Sequence, residues 1–185
     1  MDIKNILSVS GGVLFVAAFI PYVISILKDK TKPAKASWFI WAVLDTTAFL
    51  AMWATHTLNW VIIVSPVCAW SVVFLALYYG IPGWSKTDKF CLVGAALGIL
   101  LWYMFDNPLF GIVISQIVTF IGSIPTFVSA WEDPKREDKL AWITLWLSCF
   151  LTLISISSLK PAESAQPITF FVIETVVVYI LLLRG

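Results

Sequence analysis

Seven apolar runs fill most of this chain, and their lengths constrain the fold more than any other feature. They cover roughly 6–27, 38–55, 60–79, 90–105, 109–131, 140–158 and 166–183. A helix needs about 20 apolar residues to cross the hydrocarbon core of a bilayer, within a range of about 17–25. Lipid offers no partner to an unpaired backbone N–H or C=O, and no alternating strand pattern competes, so the runs are expected to be helices. The fourth run is the shortest. Charged residues make up 12% of the sequence, about half the share of a soluble domain. The expected class is an all-α, multi-pass integral membrane protein with seven transmembrane helices. The apolar stretch near the N-terminus contains Pro21 and no small-residue cleavage site, so it reads as the first span rather than a signal peptide. Ten Trp and five Tyr lie mostly near the ends of the runs, where amphipathic rings favour the membrane interface.

The connections alternate in charge. Lys28–Lys35, Gly83–Lys89 and Glu132–Lys139 are basic, whereas His56–Asn59 and Asp106–Pro108 hold no Lys or Arg. Counting Arg184, ten of the twelve basic residues fall on one side, with Lys4 and Lys160 on the other. The positive-inside rule then puts the N-terminus outside and the C-terminus in the cytoplasm. A net charge of +1 makes no electrostatic case for nucleic acid.

The chain also matches itself. Shifted by 104 positions, Ile20-Pro21 meets Ile124-Pro125, Ser25 meets Ser129, Asp29 meets Asp133, Lys35 meets Lys139 and Trp38 meets Trp142. These are six identities in nineteen ungapped positions, the mark of an internal repeat. The first three runs map onto the last three. Two three-helix units in direct succession would be inverted, and the fourth run restores their direction, which makes the repeats parallel about an axis along the membrane normal. The expected organisation is a first bundle at 1–82, a linker helix at 83–106 and a second bundle at 107–185.

Two carboxyl groups stand inside apolar runs: Asp45 in the second and Glu174 in the seventh. Placing an Asp at mid-bilayer depth costs roughly 2.5–3.5 kcal/mol on insertion scales, so both should face the protein interior. They are not repeat mates, since Asp45 maps onto Cys149 and Glu174 onto Trp70. Asp45, Glu174, Trp41, Trp70 and Cys149 are therefore the candidate lining of a solute or ion cavity. Each acid has two readings. It couples to a proton or cation, or holds a cationic solute; alternatively it is a hydrogen-bonded acid that fixes helix packing. Trp38, Trp41 and Asp45 share one helix face, so Trp41 reads either as an aromatic wall beside the acid or as core packing. Trp38 and Trp142 read as interface anchors or, alternatively, as part of that wall. Pro21 and Pro125 each remove a backbone bond and read as hinges or as static kinks.

Other chemistries lack support. Cys68, Cys91 and Cys149 have no CxxC neighbour and read as small buried hydrophobes. His56 is alone, so no metal site is expected, and no cofactor motif is present. Asp106-Asn107-Pro108 reads as a turn opening the fifth helix. No Gly-rich phosphate loop occurs, and Ser65 and Ser71 have no base beside them, which argues against an enzyme. The seventh run holds no Lys, which argues against a retinal Schiff base.

The three-plus-one-plus-three layout resembles the SWEET and PQ-loop superfamily of membrane transporters. The motif resemblance rests on the Pro near the cytoplasmic end of the first helix of each repeat and on the basic loop leading to Ser37-Trp38. It runs from Ile20-Pro21-Tyr22 to Ser37-Trp38, with a weaker copy from Ile124-Pro125-Thr126 to Ala141-Trp142. The family's Gln after Pro is Tyr22 in one copy and Thr126 in the other, and the third and seventh runs lack the Asn residues that face the pocket in sugar carriers. The resemblance implies alternating access between two bundles, with any pocket at their interface. The expected function is transport of a small solute, coupled to protons through the buried carboxyls. A receptor or an accessory subunit of a larger membrane complex is the alternative. The expected partners are the lipid bilayer, an unidentified small solute, a proton and, as an open option, a second copy of the chain. A prokaryotic inner membrane is the expected setting.

Overall fold

The computed structural model describes residues 2–82, 84–105 and 107–185. All regular structure among them is helical: α1 Ile3–Leu27, α2 Lys35–Ala54, α3 Trp60–Tyr79, α4 Lys86–Phe105, α5 Pro108–Gly122, α6 Ile124–Glu132, a single 3-10 turn at Pro134–Arg136, α7 Lys139–Ser155 and α8 Pro161–Arg184. Five stretches are long and apolar enough to cross a membrane, namely α1, α2, α3, Leu109–Glu132 across α5 and α6, and α8. The chain is thus an all-α, multi-pass membrane protein. The apolar helix α7 has 17 residues and falls just short of that set.

The surface is inverted relative to a soluble protein. Val13, Val67, Phe74 and Leu77 are exposed, while Ser37, Ser65, Thr119, Ser148 and Thr152 are buried. Lipid tails are as apolar as Leu, so helices here gain from close packing and interhelical hydrogen bonds rather than from hiding apolar surface. The α1–α7 seam shows this. Ser148 Oγ donates to the Gly11 carbonyl at 2.8 Å, and a Cβ on Gly11 would stand 2.5 Å from Thr152 Oγ1 and 3.1 Å from the Ser148 carbonyl oxygen. Gly11→Ala is therefore expected to cost about 1–3 kcal/mol by overpacking, read as a lower melting temperature in detergent. Gly11→Ala/Thr152→Ala should recover part of the loss, and an unchanged melting temperature in the single variant would contradict this packing.

Two features depart from the sequence reading. The fifth run is not one helix. It breaks at Ser123 between α5 and α6, because Pro125 supplies no N–H and its ring crowds the carbonyl four residues back. Neighbouring helices hold the break. Cys91 Sγ lies 3.5 Å from the Ile121 carbonyl oxygen that Pro125 leaves without its usual donor. Thr126 N–H donates to Ser37 Oγ at 3.2 Å. Pro21, its repeat mate, sits inside an unbroken α1. Trp38 and Trp142 are not interface anchors either. They are 3% and 1% exposed, because α1, α2 and α7 close over them.

The polar ends behave as read. Asn107 Oδ1 accepts from the N–H groups of Leu109 and Phe110 and caps α5; Asp106, also assigned to this turn, lies outside the described residues, as does Gly83 at the expected start of the linker. His56 is exposed in the α2–α3 turn with φ of 54°.

Candidate functional site

The site begins with one face of α1. Phe15, Phe19 and Tyr22 recur at helical spacing, so all three side chains point the same way. They meet Trp38 and Trp41 from α2 and Trp142 from α7. The rings form a continuous lattice with centroids 5.0–6.3 Å apart along Phe15–Phe19, Phe19–Trp38, Trp38–Trp41 and Trp41–Trp142. Trp41 Nε1–H donates to Ser123 Oγ at 3.2 Å, which ties α2 to the break in the fifth run.

Beside this lattice lies a cavity of about 40 Å³. Asp45 and Glu174 both line it, with Trp38, Trp41, Trp142 and Phe170 among the walls. The two acids come from opposite ends of the sequence and are brought together here. Asp45 is 5% and Glu174 8% exposed, and the two carboxyls interact electrostatically. Glu174 Oε2 has no hydrogen-bond partner among the described residues. Among the described residues, no Lys, Arg or His lines the cavity. The three ion pairs among the described residues all lie on the charged loops and helix ends, so neither buried acid has a cationic partner there. A space of this size holds about three water molecules.

The other candidates fall differently. Cys149 is buried within electrostatic reach of both acids but is not part of the cavity wall. Trp70 stands outside it. Its indole N–H donates to Thr46 Oγ1 at 3.2 Å and its ring packs edge-on to Phe39 at 6.0 Å, which makes it a link between α2 and α3. Occupying a place equivalent to that of Glu174 in the sequence repeat did not aim it inward.

The structure adds a third buried acid. Glu137, in the connection between the 3-10 turn and α7, is 5% exposed. Its Oε2 accepts from Trp142 Nε1–H at 2.7 Å and from Tyr22 O–H at 3.0 Å, while Oε1 has no partner. One carboxyl thus joins α1 to the start of α7 beneath the aromatic lattice. Burial pushes it up to about 7, against the Trp142 and Tyr22 bonds that hold the charged form, and Asp138 pushes it further. The sequence signal was poor, since Glu137 sits among charged neighbours in a loop that reads as solvated.

The sign of the resulting pH effect follows from linkage. Glu137 titrates near 7 in the folded protein against an ordinary 4.5. Between these values the unfolded chain is ionised while the fold still holds the proton, so stability falls as pH rises from about 4.5 to 7 and stays lower above that. Glu137→Gln should remove this part of the decline, leaving a flatter profile of melting temperature against pH and a variant more stable than the parent above pH 7. Parallel profiles would contradict the assignment.

No protein-family model matches the chain, and neither a curated protein nor a solved structure matches it.

Proposed function

We propose that the chain is a small-solute membrane transporter that works by alternating access between two three-helix bundles, coupled to protons through Asp45 and Glu174. One observation carries this reading: a cavity lined by helices from both halves holds both intramembrane carboxyls.

The repeat reading has support at several levels. The helices α2 and α7 begin at Lys35 and Lys139, which are mates in the 104-residue shift. Pairing α1 with α7 and α2 with α5 uses equivalent partners in that frame, and both pairs pack extensively. Lys32 N–H donates to the Arg136 carbonyl at 2.9 Å; these residues are also mates, and mates touch where they lie close to a two-fold axis. Phe15 and Thr119, Trp38 and Trp142, Trp41 and Leu145, and Ala69 and Ile173 are four further mate pairs, all in the cavity wall. The transporter is then a seven-span protein of SWEET or PQ-loop type, with α1–α3 as the first bundle, α4 as linker and α5–α8 as the second. Its N-terminus is outside and its C-terminus cytoplasmic. Pro21 and the Pro125 break are the bending points, and the Tyr22–Trp142–Glu137 contact closes the cytoplasmic end.

The test is proton flux in proteoliposomes after a pH jump, with Asp45→Asn and Glu174→Gln compared with the parent. Proton flux lost in either variant supports coupling, and unchanged flux in both removes it. A second reading, a receptor or accessory subunit that does not transport, draws support from the small size of the cavity. It predicts ligand binding or complex formation with no flux.

A further inference from the structure

We propose that the cavity binds a small organic cation, a primary ammonium head group of about methylammonium size, rather than a sugar or an anion. This rests on reading the cavity as a solute site and adds the chemical class of the solute.

The charge balance of the cavity leads there. Two carboxyls are buried in it, and among the described residues no basic side chain lines it and Glu174 Oε2 has no partner. A buried carboxylate without compensation is costly, so a ligand that brings positive charge gains where a neutral or anionic one does not. The walls narrow the class further. Trp38, Trp41, Trp142, Phe15, Phe19 and Phe170 surround the acids, and aromatic faces attract cations, by about 2 kcal/mol or more when the site is dry. Such walls suit an ammonium group with apolar substituents. A metal ion has no ready site here, since among the described residues no three His, Cys, Asp or Glu side chains are grouped as such a site requires. A sugar ring is several times too large for a space of about 40 Å³. About 40 Å³ suits a methylammonium-sized head group.

The experiment measures binding in nanodiscs, which does not depend on transport, and flux in proteoliposomes beside it. The probe is methylammonium, with tetramethylammonium as an oversized cation and glucose and acetate as neutral and anionic controls. Saturable binding of an ammonium ion is expected, with no binding of glucose or acetate. Glu174→Gln and Asp45→Asn should each weaken it at least about tenfold, and Trp41→Leu about 10- to 30-fold. Asp29→Asn on the cytoplasmic surface should leave it unchanged. If an acid variant fails to fold, as judged by size-exclusion elution, the selectivity of the parent protein and the Trp41→Leu variant decide the matter. Binding of glucose or acetate in preference to ammonium, no saturable ammonium binding at millimolar concentration, or unchanged affinity in folded acid variants would overturn the proposal. Ammonium binding without flux keeps it and removes the transporter reading. Flux of a neutral solute without ammonium binding does the reverse.

Discussion

Glu174→Gln and Asp45→Asn are each expected to cut coupled flux about 30-fold or more. A positioned proton donor or acceptor contributes about 10²- to 10⁴-fold to the rate of the step it serves, and each 1.4 kcal/mol is a factor of about ten. Both acids stand in one largely aromatic wall, and the prediction assigns each of them a step of its own. The amides keep the shape and part of the hydrogen-bonding capacity, which separates loss of charge from loss of packing. Initial rates in proteoliposomes, normalised to reconstituted protein, give the measurement. A rate within twofold of the parent for both variants would leave the carboxyls as packing groups, the other reading each of them carried from the start.

The largest effect on stability is expected from Trp142→Ala. This side chain is 1% exposed, contacts Tyr22 and Trp41 at centroid distances of 6.2 and 6.3 Å, and donates to Glu137 at 2.7 Å. Truncating a large buried aromatic costs about 3–5 kcal/mol. Trp142→Phe keeps most of the ring and loses the N–H, so it should cost about 1–3 kcal/mol, the penalty of a buried acceptor deprived of a donor. Trp70→Ala is the comparison, because Trp70 is only half-buried and lies next to exposed Phe39 and Phe74. Unfolding in detergent should rank Trp142→Ala well below Trp70→Ala. The reverse order would mean that the aromatic lattice is not the structural centre of the protein.

How much of this was legible in the sequence follows from the range of each interaction. Helix existence depends on local apolar length, and α3 occupies Trp60–Tyr79 as the run indicates. A cap is local too, and Asn107 caps α5 as its place before Pro108 suggests. The inward placing of Asp45 and Glu174 follows from the cost of a charge in lipid, which applies wherever the partner helix lies. Other features depend on contacts more than a hundred residues apart. Tyr22 reaches Glu137 across 115 positions, and nothing in a loop of alternating charges singles out one Glu for burial. Trp38 and Trp142 follow the interface statistics of their type only while their helix ends are imagined alone. Trp70 shows the limit of reasoning from a repeat: equivalence fixes the backbone position, but neighbours decide where the side chain points. The break at Ser123 was half legible, since Pro125 announces a lost bond, yet Pro21 makes the same announcement within an unbroken helix.

The central claim is that the cavity opens alternately to the two sides of the membrane. Leu145 lines it without being one of the acids and is buried, so it serves as a reporter. Leu145→Cys, with Cys68, Cys91 and Cys149 replaced by Ala, can be treated in oriented proteoliposomes with a membrane-impermeant thiol reagent added to either side. Alternating access predicts modification from both sides. Modification from neither side, or from one side alone, would contradict it.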